Sequence, residues 1–164
     1  MRPDGIDWAT VAPPVVFDGE EAVEAYADLI LSAHEKVKEV SGCFGAPFDG
    51  RSRAEVLGKL AAVVGNTFIG YFGEGPADRF DDVFDQAAYL ACHLALDHIF
   101  PDGNKRTALV MALVLPGMRG VKFRFSDGEN PAENDPYAWI QSVVSRERTE
   151  EELASDLRRW AYIA

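Results

Sequence analysis

Apolar residues recur at helical spacing through most of the chain. Between residues 20 and 40 they return every three or four positions, which predicts a first helix that ends near Ser41. Asp18 with Glu21 three residues later resembles a capping pair and predicts where this helix starts.

A second capping pair, Ser52 with Glu55, predicts a helix over residues 56–65. The glycine-rich segment 66–78 follows and is expected to be a loop or a short β-hairpin. Its aromatic side chains are either part of the core or a flap that docks a target. They are Phe68, Tyr71 and Phe72.

Residues 79–98 and 104–115 predict a third and a fourth helix, and the third is apolar almost all round from Ala87, which is typical of buried central helices. Pro116 and Gly117 are expected to stop the fourth helix. A strand is predicted in residues 121–125.

Two more helices are predicted near the end of the chain. One covers residues 136–146, and Thr149 with Glu152 caps the other. The pattern therefore predicts an all-α bundle of about six helices, with segment 66–78 as the one candidate for a small hairpin flap.

A chain of 164 residues is expected to form one domain. Residues 1–21 are interpreted as an N-terminal leader and residues 22–164 as the domain itself. Prolines and the lack of periodicity predict that the leader packs on the surface or is partly mobile. Cys43 and Cys92 need no disulfide framework, and Cys92 is expected in the core. The absence of a targeting signal or a long apolar run favours a cytoplasmic protein.

The formal net charge is −11, which argues against a general nucleic-acid binder. The charge is uneven: residues 1–97 carry 17 acids and 7 bases, whereas residues 98–164 carry 10 and 9. A group of acids near one helix start is expected to be solvated, because acids are favourable there. The group is Asp78, Asp81, Asp82 and Asp85.

The candidate chemistry lies in residues 98–107, HIFPDGNKRT. Gly103 allows a tight bend before the fourth helix, whose first turn offers unpaired N–H groups and the positive dipole end. Lys105 and Arg106 add cations where a bare helix disfavours them. These features indicate a phosphate site.

Asp102 supplies a hard oxygen ligand suited to Mg²⁺ beside phosphate, and His98 suits a general base near neutral pH. Together they indicate phosphoryl or nucleotidyl transfer. Taken singly, His98 could be a helix-end residue, Asp102 a turn residue and Asn104 an N-cap. The other histidines are assigned to packing. They are His34 and His93.

The segment HIFPDGNKRTAL resembles the signature of the Fic/Doc family, HPFxxGNGR with a further arginine. Lys105 stands where that signature has its second glycine, and Leu109 stands at the later arginine. Both departures are those of the Doc branch. Together with GRSRAEVLGKLAAVV and ASDLRRW, the resemblance covers roughly residues 22–162.

The resemblance implies a role for each matching residue. His98 would be the general base, Asp102 would hold Mg²⁺, and Phe100 would anchor the loop in the core. The remaining positions would contact the phosphates of ATP: Gly103 and Asn104 by cradling them, Lys105 and Arg106 by binding and neutralising them.

The Doc resemblance implies a toxin that transfers the γ-phosphate of ATP to a threonine hydroxyl of translation elongation factor Tu. It also implies a separate cognate antitoxin, since the chain lacks the inhibitory [ST]xxxE[GN] motif of some Fic proteins. One alternative is a Fic-type enzyme that transfers AMP to a protein. The other alternative is a non-catalytic family member that binds a nucleotide or an antitoxin.

Overall fold

The computed structural model describes residues 5–41, 51–70 and 72–164. Its helices are α1 (Trp8–Val11), α2 (Glu20–Ser41), α3 (Arg53–Phe68), α4 (Pro76–Arg79), α5 (Val83–Leu96), α6 (Asn104–Gly117), α7 (Asp135–Ser145) and α8 (Glu150–Trp160). Two short strands, β1 (Val121–Phe123) and β2 (Ala161–Ile163), pair antiparallel with Lys122 opposite Tyr162. The prediction of a mostly helical fold is confirmed, whereas the small sheet observed joins β1 and β2 and is not the hairpin expected in segment 66–78.

Helix α5 is the centre of the bundle. It packs against α3, α6, α7 and α8, so most of its side chains are buried, while a stripe that includes Tyr89 and His93 is partly exposed. Phe84, Leu90 and Leu94 are 0 to 1% exposed. Helix α6 returns alongside α5 after a short loop, and this pair holds that loop rigidly at one end of the bundle.

Local capping signals predicted several boundaries well. The Ser52 hydroxyl accepts from the N–H of Glu55, and Thr149 forms a reciprocal capping box with Glu152. Helix α2 begins at Glu20, one residue later than a cap at Asp18 would set it.

Two helix ends lie further along the chain than predicted. Helix α3 continues to Phe68 because Thr67 and Phe68 are fully buried, so core packing extends it beyond residue 65. Helix α6 runs through Pro116 to Gly117, and Pro116 is buried in its last turn.

The helix predicted over residues 79–98 is wrong at both ends. Helices α4 and α5 are separate, and α5 stops at Leu96. Asp82 caps α5 by accepting from the N–H groups of Phe84 and Asp85.

Asp82 also corrects the expectation of four solvated acids. It is 1% exposed, and its carboxylate receives two hydrogen bonds from Arg158, from Nε at 2.8 Å and Nη2 at 2.9 Å. Arg158 also contacts the carboxylate of Asp85 at 2.6 Å. Asp78 and Asp81 are exposed as expected.

The segment interpreted as a leader contributes to the core. Trp8, Ala12 and Val15 are buried, and the Trp8 ring packs edge-on against Phe84 at 5.1 Å. The Gln86 amide both donates to the carbonyl of Val15 and accepts from its N–H. Surface packing is therefore wrong for these residues, while the boundary between residues 21 and 22 stays a prediction.

The aromatic residues of segment 66–78 separate into two environments. Phe68 is fully buried and stacks on Phe17 at 4.2 Å, so it belongs to the core. Phe72 is 90% exposed, which leaves a docking flap as a prediction for that residue. Tyr71 lies outside the described residues, and the described part of this segment contains no β-strand.

Cys92 is a free thiol, half-buried against the core, and burial raises its pKa to about 12. Cys43 lies outside the described residues. Within the described ranges, every helix is too short or too polar to cross a membrane.

Candidate active site

A pocket of about 400 Å³ opens where α5 ends and α6 begins. Helix α2 adds Val37 and Lys38 to its wall, and α7 adds Val144. The predicted site residues all line it: His98, Asp102, Gly103, Asn104, Lys105 and Arg106. Phe100 is not in the wall but is 2% exposed beneath it, as expected of a core anchor.

His98 lies in the loop and not in a helix. Helix α5 ends two residues earlier, and His98 has a φ of 52°. Residues with a Cβ rarely adopt this left-handed conformation, although histidine does so more often than most. His98 is exposed at the edge of the pocket.

Gly103 precedes α6 and has a φ of 79°, a conformation that suits glycine. The first turn of α6 contains no acid but has Lys105 and Arg106 beside its N–H groups. The helix dipole and both side chains therefore place positive charge at one point. An anion bound there would lower the electrostatic cost of this arrangement.

Asp102 supplies the one carboxylate among the described residues that line this pocket. Its Oδ1 accepts from the N–H of Gly103 at 2.8 Å, which fixes the side chain over the start of α6. In the described ranges, no group of three or more His, Cys, Asp or Glu side chains is arranged to hold a metal ion by itself. Mg²⁺ commonly binds through one carboxylate, water and substrate phosphates, so Asp102 fits a metal that arrives with a nucleotide.

The Asn104 side chain clasps the loop. Its Oδ1 accepts from the N–H of Phe100 at 3.0 Å, and its Nδ2 donates to the Phe100 carbonyl at 2.7 Å. Gly103 occupies the N-cap position, so the N-cap alternative for Asn104 is wrong. A contact of Asn104 with phosphate would use the second proton of Nδ2 or the backbone N–H.

Two further residues hold the same loop, and sequence reasoning missed both roles. Arg51 donates from Nη1 to the carbonyls of His98 and Ile99 at 2.8 and 2.7 Å. His34 contacts the loop from α2, through the carbonyl of Asp102 and the ring of Phe100. No local pattern could reveal these contacts, since both side chains lie more than 40 positions away in sequence.

The model of the Fic/DOC family matches residues 26–115, which is more than half of the chain. The protein therefore belongs to the Fic/DOC family. Members are usually transferases that act on proteins, so the chain is, in general terms, a Fic-type protein-modifying enzyme. Comparison with curated proteins and with solved structures gave no match.

Proposed function

We propose that the protein is a Doc-like toxin that transfers the γ-phosphate of ATP to a hydroxyl of translation elongation factor Tu in the cytoplasm. The observation that supports this best is the convergence of His98, Asp102 and the cationic start of α6 on one pocket. A base, a metal ligand and a phosphate site are the parts that phosphoryl transfer requires.

The reaction proposed is an in-line displacement. His98 accepts the proton of the target hydroxyl, whose oxygen forms a bond to the γ-phosphorus. The bond from that phosphorus to the β,γ-bridging oxygen breaks, and ADP leaves. Lys105 and Arg106 neutralise charge on the phosphates, while the N–H groups of α6 position them.

Magnesium held by Asp102 would supply further neutralisation of the phosphates. Lys105 also supports the direction of transfer. Where the Fic signature has glycine, a lysine side chain fills space that would otherwise be open to a terminal phosphate. This is the basis for proposing γ-phosphate transfer in place of AMP transfer.

The proposal includes control by a cognate antitoxin that covers the pocket. The acidic part of the chain, residues 1–97, is proposed to meet a basic surface of a partner. The exposed Phe72 is proposed to contact the protein target.

Incubation of the protein with elongation factor Tu and either γ-labelled or α-labelled ATP tests the function. We expect label on the factor from γ-labelled ATP alone. Label from α-labelled ATP alone would instead identify AMP transfer, and no label from either would leave the non-catalytic alternative.

The matched variants for this assay are His98→Ala and His93→Ala. His93 lies on α5, outside the pocket wall, and its Nδ1 pairs with Asp97 at 2.9 Å. Loss of a general base lowers the rate by roughly 100-fold to 10,000-fold, so we expect His98→Ala to be nearly inactive. His93→Ala should retain the wild-type rate, and equal rates for both variants would remove His98 from the mechanism.

A further inference from the structure

His34 on α2 is a buried histidine outside the signature segment and outside the pocket wall. It is 2% exposed, although histidine is usually at least partly accessible. Its ring lies flat against the ring of Phe100, with centroids 3.6 Å apart and planes within 5°. Its Nε2 lies 2.7 Å from the carbonyl oxygen of Asp102.

The hydrogen bond fixes the tautomer of His34. A carbonyl oxygen only accepts, so Nε2 carries the proton and donates to Asp102. Burial lowers the pKa of His34, which favours the neutral form of the ring. An apolar side chain in its place would leave a partly buried carbonyl without this donor.

The same ring fits closely against Gly103. A Cβ on Gly103 would lie 3.2 Å from Nε2 of His34 and 3.3 Å from its Cδ2. A Cβ at residue 103 would therefore press on the ring, in addition to the strain imposed by its positive φ. His34 thus contacts Phe100, Asp102 and Gly103 together, from the side of the loop that α2 covers.

These three contacts surround the residues that the phosphate site depends on. Asp102 carries the proposed metal ligand, and Gly103 sets the direction in which α6 begins. A rotation of the peptide between them would move both the carboxylate and the first N–H groups of α6. Displacements of about 1 Å at such a site can cost about 100-fold in rate.

We propose that His34 is a positioning residue that holds the Asp102–Gly103 peptide in the conformation required to bind the phosphates of ATP. This inference rests on the proposed function, because it names a determinant of the same site. His34 acts through the loop and touches neither phosphate nor target.

The test separates the two contacts of the ring. His34→Phe keeps an aromatic ring on Phe100 but removes the donor, whereas His34→Gln keeps a donor and removes the stacking. Tyr26→Phe is the matched control, since Tyr26 is also buried on α2 and its hydroxyl has no hydrogen-bond partner among the described residues. For each variant we would measure the Kd for ATP with Mg²⁺ and the amide chemical shifts of residues 102–106.

We expect His34→Phe to weaken ATP binding by about 10-fold or more and to shift the amide signals of Gly103 and the first turn of α6. His34→Gln should recover part of the affinity, and Tyr26→Phe should match wild type in both readouts. If His34→Phe does not fold, the comparison of His34→Gln with wild type decides, with a loss of about 3-fold or more expected.

Wild-type affinity and unchanged loop shifts in the folded His34 variants would overturn the positioning role and leave the proposed function intact. A wild-type protein that does not bind ATP would overturn the proposed function itself, and this inference with it. The two failures are therefore distinguishable in the same experiment.

Discussion

Charged side chains lie at both ends of α5, but their environments are opposite. At its N-terminal end Asp82 is buried, caps the helix and pairs with Arg158. At its C-terminal end His98 is exposed beside an open pocket that Lys105 also lines. The first cluster satisfies its charges within the protein, whereas the second concentrates positive charge at a helix start.

This difference separates stability from function. Removing one partner of a charge pair in the interior leaves the other charge buried and uncompensated, which destabilises the folded protein strongly. Cations at a positive helix end oppose folding, and the proposed phosphates of ATP would offset that cost. Removal of a cation, Arg158 at one end of α5 or Lys105 at the other, should consequently have effects of opposite sign on the free energy of unfolding.

The largest effect is expected at the buried cluster. Arg158→Met removes the partner of Asp82 and should lower the free energy of unfolding by about 3–5 kcal/mol. Urea denaturation measures this, with Arg159→Met as the control. The Arg159 side chain is 67% exposed, so its ion pair with Asp156 should contribute less than about 1 kcal/mol. Equal effects of the two variants would contradict the structural role of the cluster.

A smaller effect on stability is expected from the hydrogen bonds that Asn104 makes within the loop. Asn104→Ala removes both hydrogen bonds to the backbone of Phe100 and should destabilise the protein by about 1–3 kcal/mol. Because the loop carries the pocket, ATP affinity should fall as well. Urea denaturation and ATP titration on the same preparation check both effects, and Asn134→Ala, which removes the N-cap of α7, serves as a control for destabilisation alone.

Lys105→Gln tests whether removing a cation from the pocket end of α5 changes the free energy of unfolding in the opposite direction. Removing a cation from the first turn of α6 should raise the free energy of unfolding by about 0.3–1 kcal/mol at low ionic strength. The gain should shrink with added salt, because exposed charges are screened. Destabilisation by this variant would mean that Lys105 supports the fold, and the contrast between the two ends would fail.

The smallest effect on the free energy of unfolding comes from protonation of His34 and is confined to acidic solution. Burial, and then the nearby Lys38, lower the pKa of His34, partly offset by its hydrogen bond to Asp102 and by the charge of Glu35. The unfolded chain therefore binds the proton more readily than the folded protein. The neutral His34 ring therefore contributes to the free energy of unfolding. This contribution is complete above the ordinary pKa of 6.5 and is lost as the pH falls towards the lowered pKa of His34 in the folded protein.

Urea midpoints measured between about pH 7 and pH 5 check this expectation. His34→Gln should show a shallower decline than wild type over that range, since it has no group to protonate there. Parallel curves for the two proteins would contradict the assignment of a buried neutral imidazole.

The sequence predicted features that are local, and tertiary contacts determined the others. Caps such as Ser52 and Thr149 act over three residues, so they could be recognised directly. The site residues lie within ten positions, so their pattern could be recognised before their geometry was known. His34 and Asp102 are 68 positions apart, and Asp82 and Arg158 are 76 apart, so no local pattern links them.

Burial of Trp8 was missed for a related reason. The segment around it contains prolines and no helical period, and Trp8 packs against Phe84, which lies far along the chain on α5. Asp82 was misjudged because an acid at a helix start is usually solvated, and only the approach of α8 brings Arg158 to it.

The central claim is that the cations at the start of α6 serve the phosphates of a nucleotide. Titration of wild type and Lys105→Gln with ATP and Mg²⁺ by calorimetry tests it most directly, with Lys122→Gln on β1 as the control. Hydrogen bonds to charged groups contribute about 1.5–3 kcal/mol, so Lys105→Gln should bind about 10-fold or more weakly while Lys122→Gln binds as wild type does. No binding by wild type, or the same Kd for all three proteins, would contradict the account.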